Sequence, residues 1–163
     1  METFLLLLSF LRADGALPTH LNNPSVLTHL HTVAEAIDEA ATRAVPRARL
    51  IALAYEESRF GYREAMRGRF PIGTSGECGI FQQIPRFSPI EATCELLGRD
   101  QKLAARVAVA SLMRVIRRHR VRGGRAMDRR ICHYNGGNRC NRSARRYARR
   151  HAKTRRRVVA ALR

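Results

Sequence analysis

The spacing of apolar residues predicts helices along most of the chain. A first helix is predicted over Val26 to Arg43, with Ser25 as its N-cap, because a serine hydroxyl can accept an N–H of the first turn. Val45-Pro46 breaks it, and Pro46 suits the start of the next helix. There Leu50, Leu53, Ala54 and Glu57 share one face by the i, i+3, i+4, i+7 rule, and the helix ends near Phe60-Gly61. Arg67 to Gly79 is rich in Gly, with Pro71, Thr74 and Ser75, and predicts an irregular loop or small β-hairpin. Gly79 to Ile84 is a short segment of apolar and amide residues. Leu103 to Arg118 carries a broad apolar face and ends at Gly123-Gly124. Ala126 to Tyr134 predicts a short helix stopped by Asn135-Gly136-Gly137. From Ser143 to Leu162, Tyr147, Ala148, His151, Val158, Val159 and Leu162 line one side of a last helix, and arginines cover the rest. No internal repeat interrupts this order. The expected fold is mainly α: a single domain with a small irregular or β-hairpin segment near the candidate site. Residues 18–150 would form its body, and 151–163 an arginine-rich helix end docked on it.

The N-terminus, METFLLLLSFLRADGA, reads differently. Phe4 to Leu11 is too short to span a bilayer. With the small residues Ala13 and Gly15 behind it, the stretch resembles a secretory signal peptide over residues 1–17. Glu2, and the lack of Lys or Arg ahead of the run, oppose that reading; a buried N-terminal helix is the alternative. A periplasmic or secreted location agrees with the cysteines. Cys78, Cys94, Cys132 and Cys140 allow three pairings and show no CxxC spacing, so a structural metal site is not expected. Cys132 and Cys140 bracket the turn-forming stretch HYNGGNR, and a disulfide there would leave Cys78 for Cys94.

Composition sharpens the choice of partner. With 163 residues and 45% hydrophobic content the chain can bury a core, and 6% aromatics without Trp make that core mainly aliphatic. The formal net charge is +18, from 31 Lys+Arg against 13 Asp+Glu, and arginine dominates. Such a charge implies an anionic partner. A nucleic acid would be held through phosphates, but no RNP, KH or zinc-finger pattern is present and base-stacking aromatics are scarce. An acidic membrane surface or an anionic cell-wall polymer fits the charge as well, and no transmembrane segment is expected. The protein is expected to be a monomer.

One helix end then asks for chemistry. Glu57 continues an apolar stripe, whereas Glu56 falls at its edge. A carboxyl against apolar walls has its charged form disfavoured, so its pKa rises. Protonated near neutral pH, it can act as a general acid.

Three segments stand in order around that residue: EESRF at Glu56–Phe60, GECGIFQQIP at Gly76–Pro85, and HYNGG at His133–Gly137. Each is weak alone. Together they resemble the lysozyme-like lytic transglycosylases of the soluble-transglycosylase type, with goose-type lysozymes as distant relatives. That family's pattern is a helix ending in Glu-Ser, then Gly-Leu-Met-Gln, then Ala-Tyr-Asn-x-Gly after a long helix. Glu57-Ser58 matches the first. Gly79-Ile80-Phe81-Gln82, followed by Gln83, matches the second with Ile and Phe substituted. His133-Tyr134-Asn135-Gly136-Gly137 matches the third, with His for Ala. The likeness covers roughly Val26 to Arg150.

The resemblance implies a lysozyme-like fold, a peptidoglycan substrate and no cofactor, and it makes anionic wall or outer-membrane polymers, with no specific nucleic acid, the expected partners of the arginine-rich surface. Glu57 would protonate the β-1,4 glycosidic oxygen between N-acetylmuramic acid and N-acetylglucosamine, then act as base while the muramic C6 hydroxyl closes a 1,6-anhydro ring. Ser58 would bond near the acid or the sugar. Gly79 would admit the ligand to the backbone, and Phe81 and Gln83 would belong to the binding segment. Gln82 and Asn135 would meet N-acetyl groups through their amides. Tyr134 would offer its hydroxyl to Glu57 and its ring to a sugar. The sequence departs from the pattern at Glu77, where the family often has Ala. A second carboxylate there would permit an inverting hydrolase instead. The cysteines and the arginine-rich tail have no counterpart in the shared pattern.

Overall fold

The computed structural model describes the backbone of residues 1–120, 124–136 and 140–162, and the side chains of 1–120, 126–134 and 140–162. Gly123 and Gly137, expected as helix stops, and the Asn135 side chain lie outside the described residues. Among the described residues ten α-helices follow in order: α1 (Glu2–Ala13), α2 (Pro18–Leu21), α3 (Pro24–Ala40), α4 (Arg47–Ser58), α5 (Tyr62–Ala65), α6 (Cys94–Arg99), α7 (Gln101–Arg118), α8 (Gly124–Arg130), α9 (Cys132–Gly136) and α10 (Arg142–Ala161). Short 3-10 turns occupy Arg59–Gly61 and Pro85–Phe87. The mainly helical fold agrees with the apolar periodicity. Among the described residues no helix is long and apolar enough to cross a membrane.

The core is built around α4. Every residue from Ala48 to Tyr55 is buried. A helix covered on all sides must be central; α10, α3 and α7 pack on it, and α1 closes over α3. Arg49 is buried in that shell and reaches Asp128 at 3.1 Å. Arg155 grips the same carboxylate through Nε at 3.0 Å and Nη2 at 2.8 Å. Burial pushes Asp128 up, but the two guanidinium groups outweigh it and hold the carboxyl below its usual range. One acid thus ties α4, α8 and α10 together. Breaking such a pair from one side leaves a buried charge uncompensated.

Residues 2–13 form a helix packed on the body of the fold. Leu7 and Leu11 of α1 are fully buried, Thr3 donates to Asp38 Oδ1 at 2.7 Å, and Arg47 pairs with Glu2 at 3.0 Å.

Helix boundaries differ from expectation for local reasons. The N-cap of α3 is Asn23, not Ser25: its side chain accepts from Ser25 N at 2.9 Å, and Pro24 occupies the first helical position. That helix stops at Ala40 because a turn follows, in which Val45 N donates to Thr42 Oγ1 at 3.0 Å and Thr42 N to Val45 O at 2.9 Å. The segment predicted over Ala126 to Tyr134 is split at Ile131 into α8 and α9. The last helix runs unbroken through residues 150 and 151, capped by Asn141, which accepts from Ala144 N at 2.8 Å.

The stretch between α5 and α6 is the irregular alternative rather than a hairpin. It carries only the isolated bridges Ile72–Cys78 and Cys78–Gln83, and Pro71 and Gly73 leave little room for a longer ladder. The Cys78–Cys94 disulfide pins it to α6, and Cys132–Cys140 closes the loop after α9, as the sequence suggested.

Candidate active site

The end of α4 is abrupt. Arg59, Phe60 and Gly61 have φ of 53°, 61° and 70°, three left-handed residues in a row. Two of them carry side chains, and such strain persists only where surroundings enforce it. They do so here. Arg59 bonds Asp14 at 2.7 Å and the Tyr55 carbonyl at 2.8 Å, and His29 Nε2 meets the Phe60 carbonyl at 2.7 Å. Phe60 itself is fully buried. The kink stops the helix one turn after its buried run, so Glu57 and Ser58 stand where α4 meets the irregular segment. Ser58 donates to the Ile80 carbonyl at 2.8 Å. It fastens that segment to the helix end.

Burial pushes the Glu57 carboxyl up from 4.5 to about 7, with the neighbouring charges of Glu56 and Glu77 adding to the effect. The Tyr147 phenol faces it from α10 and favours the ionised form, as does Arg150. Yet neither Glu57 Oε1 nor Tyr147 Oη closes a hydrogen bond of normal length, and both atoms are buried. Glu56 points the other way. Thr154 Oγ1 donates to it at 2.5 Å and Arg150 Nε at 3.3 Å.

Glu57 opens onto a cleft of about 730 Å³. One wall is the irregular segment, with Gly73, Glu77, Gln82, Gln83 and Phe87; the other is α7, with Val107, Ser111, Arg114, Val115 and Arg118. His119 and His133 close one side as a stacked pair, ring centroids 3.8 Å apart. Burial and the neighbouring His133 both hold His119 below its ordinary value.

The candidate residues divide. Glu57, Glu77, Gln82, Gln83 and Tyr134 are brought to this cleft. Gln83 is 6% exposed, and neither of its amide atoms closes a hydrogen bond of normal length, although the Tyr134 hydroxyl and its side chain interact. Gln82 takes φ 46° and turns its Nε2 back to the Gly79 carbonyl at 2.9 Å. Glu77 Oε2 accepts from Ser75 N at 3.0 Å, which fixes the tight turn before it. Tyr134 does not offer its hydroxyl to Glu57: it donates to the Phe81 carbonyl at 2.9 Å. Phe81 is fully buried and belongs to the core. Gly79 is required for packing within the protein, since at φ +71° a Cβ would overlap the Leu97 carbonyl.

Tyr147 was missed as a site residue, although it stands on the stripe read for the last helix. What brings it to Glu57 is the packing of α10 on α4, which no local pattern records. Arg114, Arg118 and His119 were missed because they look like ordinary charges at the end of a helix.

No family model, no curated protein and no solved structure matches the chain. The site is therefore interpreted from its chemistry. Cys132, His133 and Cys140 are the one His/Cys/Asp/Glu group of the described residues close enough to hold an ion. Both sulfurs are joined in the disulfide, which removes them as thiolate ligands. What the cleft does offer is a carboxyl poised between protonated and ionised at neutral pH, amides able to donate and accept, and a cationic end. That set suits proton transfer to a polar, hydrogen-bonding substrate.

Proposed function

We propose that the protein is a peptidoglycan lytic transglycosylase with Glu57 as its general acid and base. The observation that carries this reading is the buried Glu57 carboxyl, held near pH 7 at the wall of an open cleft. Protonated, it donates to the glycosidic oxygen as the bond to C1 of N-acetylmuramic acid breaks. Ionised by that step, it accepts the proton of the C6 hydroxyl as that oxygen bonds C1. The proton count closes without a water, and the product is a 1,6-anhydro sugar. Gln83, whose amide atoms close no hydrogen bond of normal length at the cleft wall, supplies a group to bind an N-acetyl substituent. The resemblance of the three ordered motifs supports the same assignment. The two disulfides accord with a periplasmic or secreted setting, and the arginines of α10 with anionic wall or outer-membrane polymers as partners.

A second reading has its own observation. Glu77 lines the same cleft and its charge acts on Glu57. It could activate water and give an inverting lysozyme-type hydrolase. Mass spectrometry of fragments released from purified sacculi separates the two. Anhydro ends, one water lighter, support the transglycosylase; reducing ends support the hydrolase. Absence of any glycan cleavage removes both.

A further inference from the structure

The α7 wall of the cleft changes character along its length. Val107, Ser111, Arg114, Val115 and Arg118 succeed one another on one face, over about 16 Å at about 1.5 Å per residue. The first part is uncharged. The last part presents two exposed guanidinium groups. Arg114 Nη1 donates to the Phe87 carbonyl at 3.2 Å, which holds its stem at the rim and leaves most of its donors unmet. Arg118 has no hydrogen bond or ion pair among the described residues. Gln83 lines the same cleft, nine-tenths buried, and its amide closes no hydrogen bond of normal length although the Tyr134 hydroxyl acts on it, so amide capacity is left for a ligand. Phe87, 60% exposed on the facing loop, lines the same cleft with the Arg86 guanidinium over its ring at 4.8 Å.

A neutral sugar leaves this arrangement unsatisfied. Guanidinium has five N–H donors and no acceptor, and its planar fork matches a carboxylate. Resting on the glycan-cleaving function proposed above, we propose that Arg114 and Arg118 form a carboxylate-reading subsite at the end of the cleft, which selects acid-bearing glycan strands over neutral ones. On the proposed substrate the carboxylate has two sources: the lactyl group of unsubstituted muramic acid, or the acids of a stem peptide. Cleft walls of low dielectric strengthen either contact beyond that of a charge pair in open water.

The test uses the full chain carrying Glu57→Gln, so that binding is measured without cleavage. Three soluble tetrasaccharides are titrated by calorimetry: chitotetraose, the peptide-free muramic acid form, and the peptide-bearing form. Adding Arg114→Gln and Arg118→Gln is expected to weaken at least one acidic glycan by about tenfold, about 1.4 kcal/mol, and to leave chitotetraose within about twofold. Loss on the peptide-free form identifies the lactyl carboxylate, and loss confined to the peptide-bearing form identifies the stem. Unchanged affinity, an equal loss on chitotetraose, or no binding of acidic glycans at all overturns the proposal. If the double variant does not fold, Arg118→Gln alone serves, since its side chain holds nothing in place. The enzymatic reading fails separately. A native chain that releases no fragments, yet binds acidic glycan through these arginines, keeps the subsite and loses the cleavage.

Discussion

Thr154 Oγ1 and Arg150 Nε grip Glu56 at 2.5 Å and 3.3 Å, while Glu57, the next residue, keeps its Oε1 buried with no hydrogen bond of normal length. One carboxylate is thus structural, joining α4 to α10, and the other is left available. Glu57→Gln is expected to reduce clearing of purified sacculi by about 100- to 10,000-fold, the usual contribution of a general acid. Glu56→Gln is expected to lower stability by about 1–2 kcal/mol through its two charge-assisted contacts, with activity changed far less. Turbidity assays and thermal melts of both variants check this. A Glu57→Gln protein as active as the native one would remove the assignment.

The raised pKa of Glu57 makes a prediction of its own. The unfolded carboxyl ionises near 4.5 and the folded one near 7. Below pH 4.5 both states are protonated and the site is neutral to stability. Between 4.5 and 7 the folded state binds more protons, so stability falls as pH rises, by about 3 kcal/mol in all. Glu57→Gln is therefore expected to melt higher than the native protein at pH 8 and close to it at pH 4. Activity requires the protonated form and is expected to decline above about pH 7. Tyr147→Phe removes a donor that favours the carboxylate, so it is expected to move that limb upward. Identical pH–rate profiles for native protein and Tyr147→Phe would deny Tyr147 an electrostatic role.

Much of this arrangement was legible in the sequence, and the boundary of legibility is physical. Periodicity located α3, α4, α7 and α10 because each turns an apolar face to one core. The Glu57 stripe was legible for the same reason, and the disulfides because HYNGGNR must turn between its cysteines. What local pattern could not carry was contact between distant elements. Tyr147 reaches Glu57 only because α10 lies on α4. Ser58 and Tyr134 bond carbonyls of the irregular segment and Gly79 packs that segment on α6, so all three also fasten a loop that has no strand ladder of its own. The kink at Arg59 and Phe60 was invisible, since neither residue type favours a left-handed backbone.

His151 is an independent acid sensor in the same shell. It is fully buried, neither ring nitrogen closes a hydrogen bond of normal length, the Arg49 backbone acts on it as a hydrogen-bond partner, and Arg49, Asp128, Arg155 and Tyr147 surround it. Burial and the charge of Arg49 hold its pKa down from 6.5 to about 3. The unfolded state then binds the extra proton as pH falls from 6.5 to 3, and stability is lost over that window, on the order of 5 kcal/mol. His151→Leu is expected to flatten the melting temperature across that range. A variant as acid-sensitive as the native chain would assign the loss to other groups.

The Cys78–Cys94 disulfide fixes the segment that carries Gln82 and Gln83. Closing a loop of 16 residues contributes about 3 kcal/mol in the chain-entropy account. Replacing both cysteines with Ser is expected to lower the melting temperature and to raise KM more than it lowers kcat, because Glu57 stays on α4 while the opposite wall loosens. A fall in kcat at constant KM would contradict that division.

The arginines of α10 call for a different experiment from removal of the tail. Ala152, Thr154 and Val158 are buried, and Thr154 holds Glu56, so truncation after Arg150 would strip the core and disturb the site together. Charge can instead be removed from the outer face. Arg146, Arg149, Lys153 and Arg156 are exposed, and they recur at spacings that place them along one side of the helix, away from Tyr147, His151 and Val158. Replacing the four with Gln keeps good helix formers and leaves the apolar stripe intact. Exposed charges act on a polymer over about 8 Å at physiological salt, so the variant is expected to sediment less with intact sacculi at low salt, and added salt is expected to bring native and variant together. Turnover of short soluble glycans is expected to stay near native, since Glu57 and Gln83 are untouched. Duplex DNA in the same salt series tests the competing partner. If the four charges govern retention on DNA but not on sacculi, the surface is a nucleic-acid face; if they govern neither, the outer arginines serve only to keep the helix soluble.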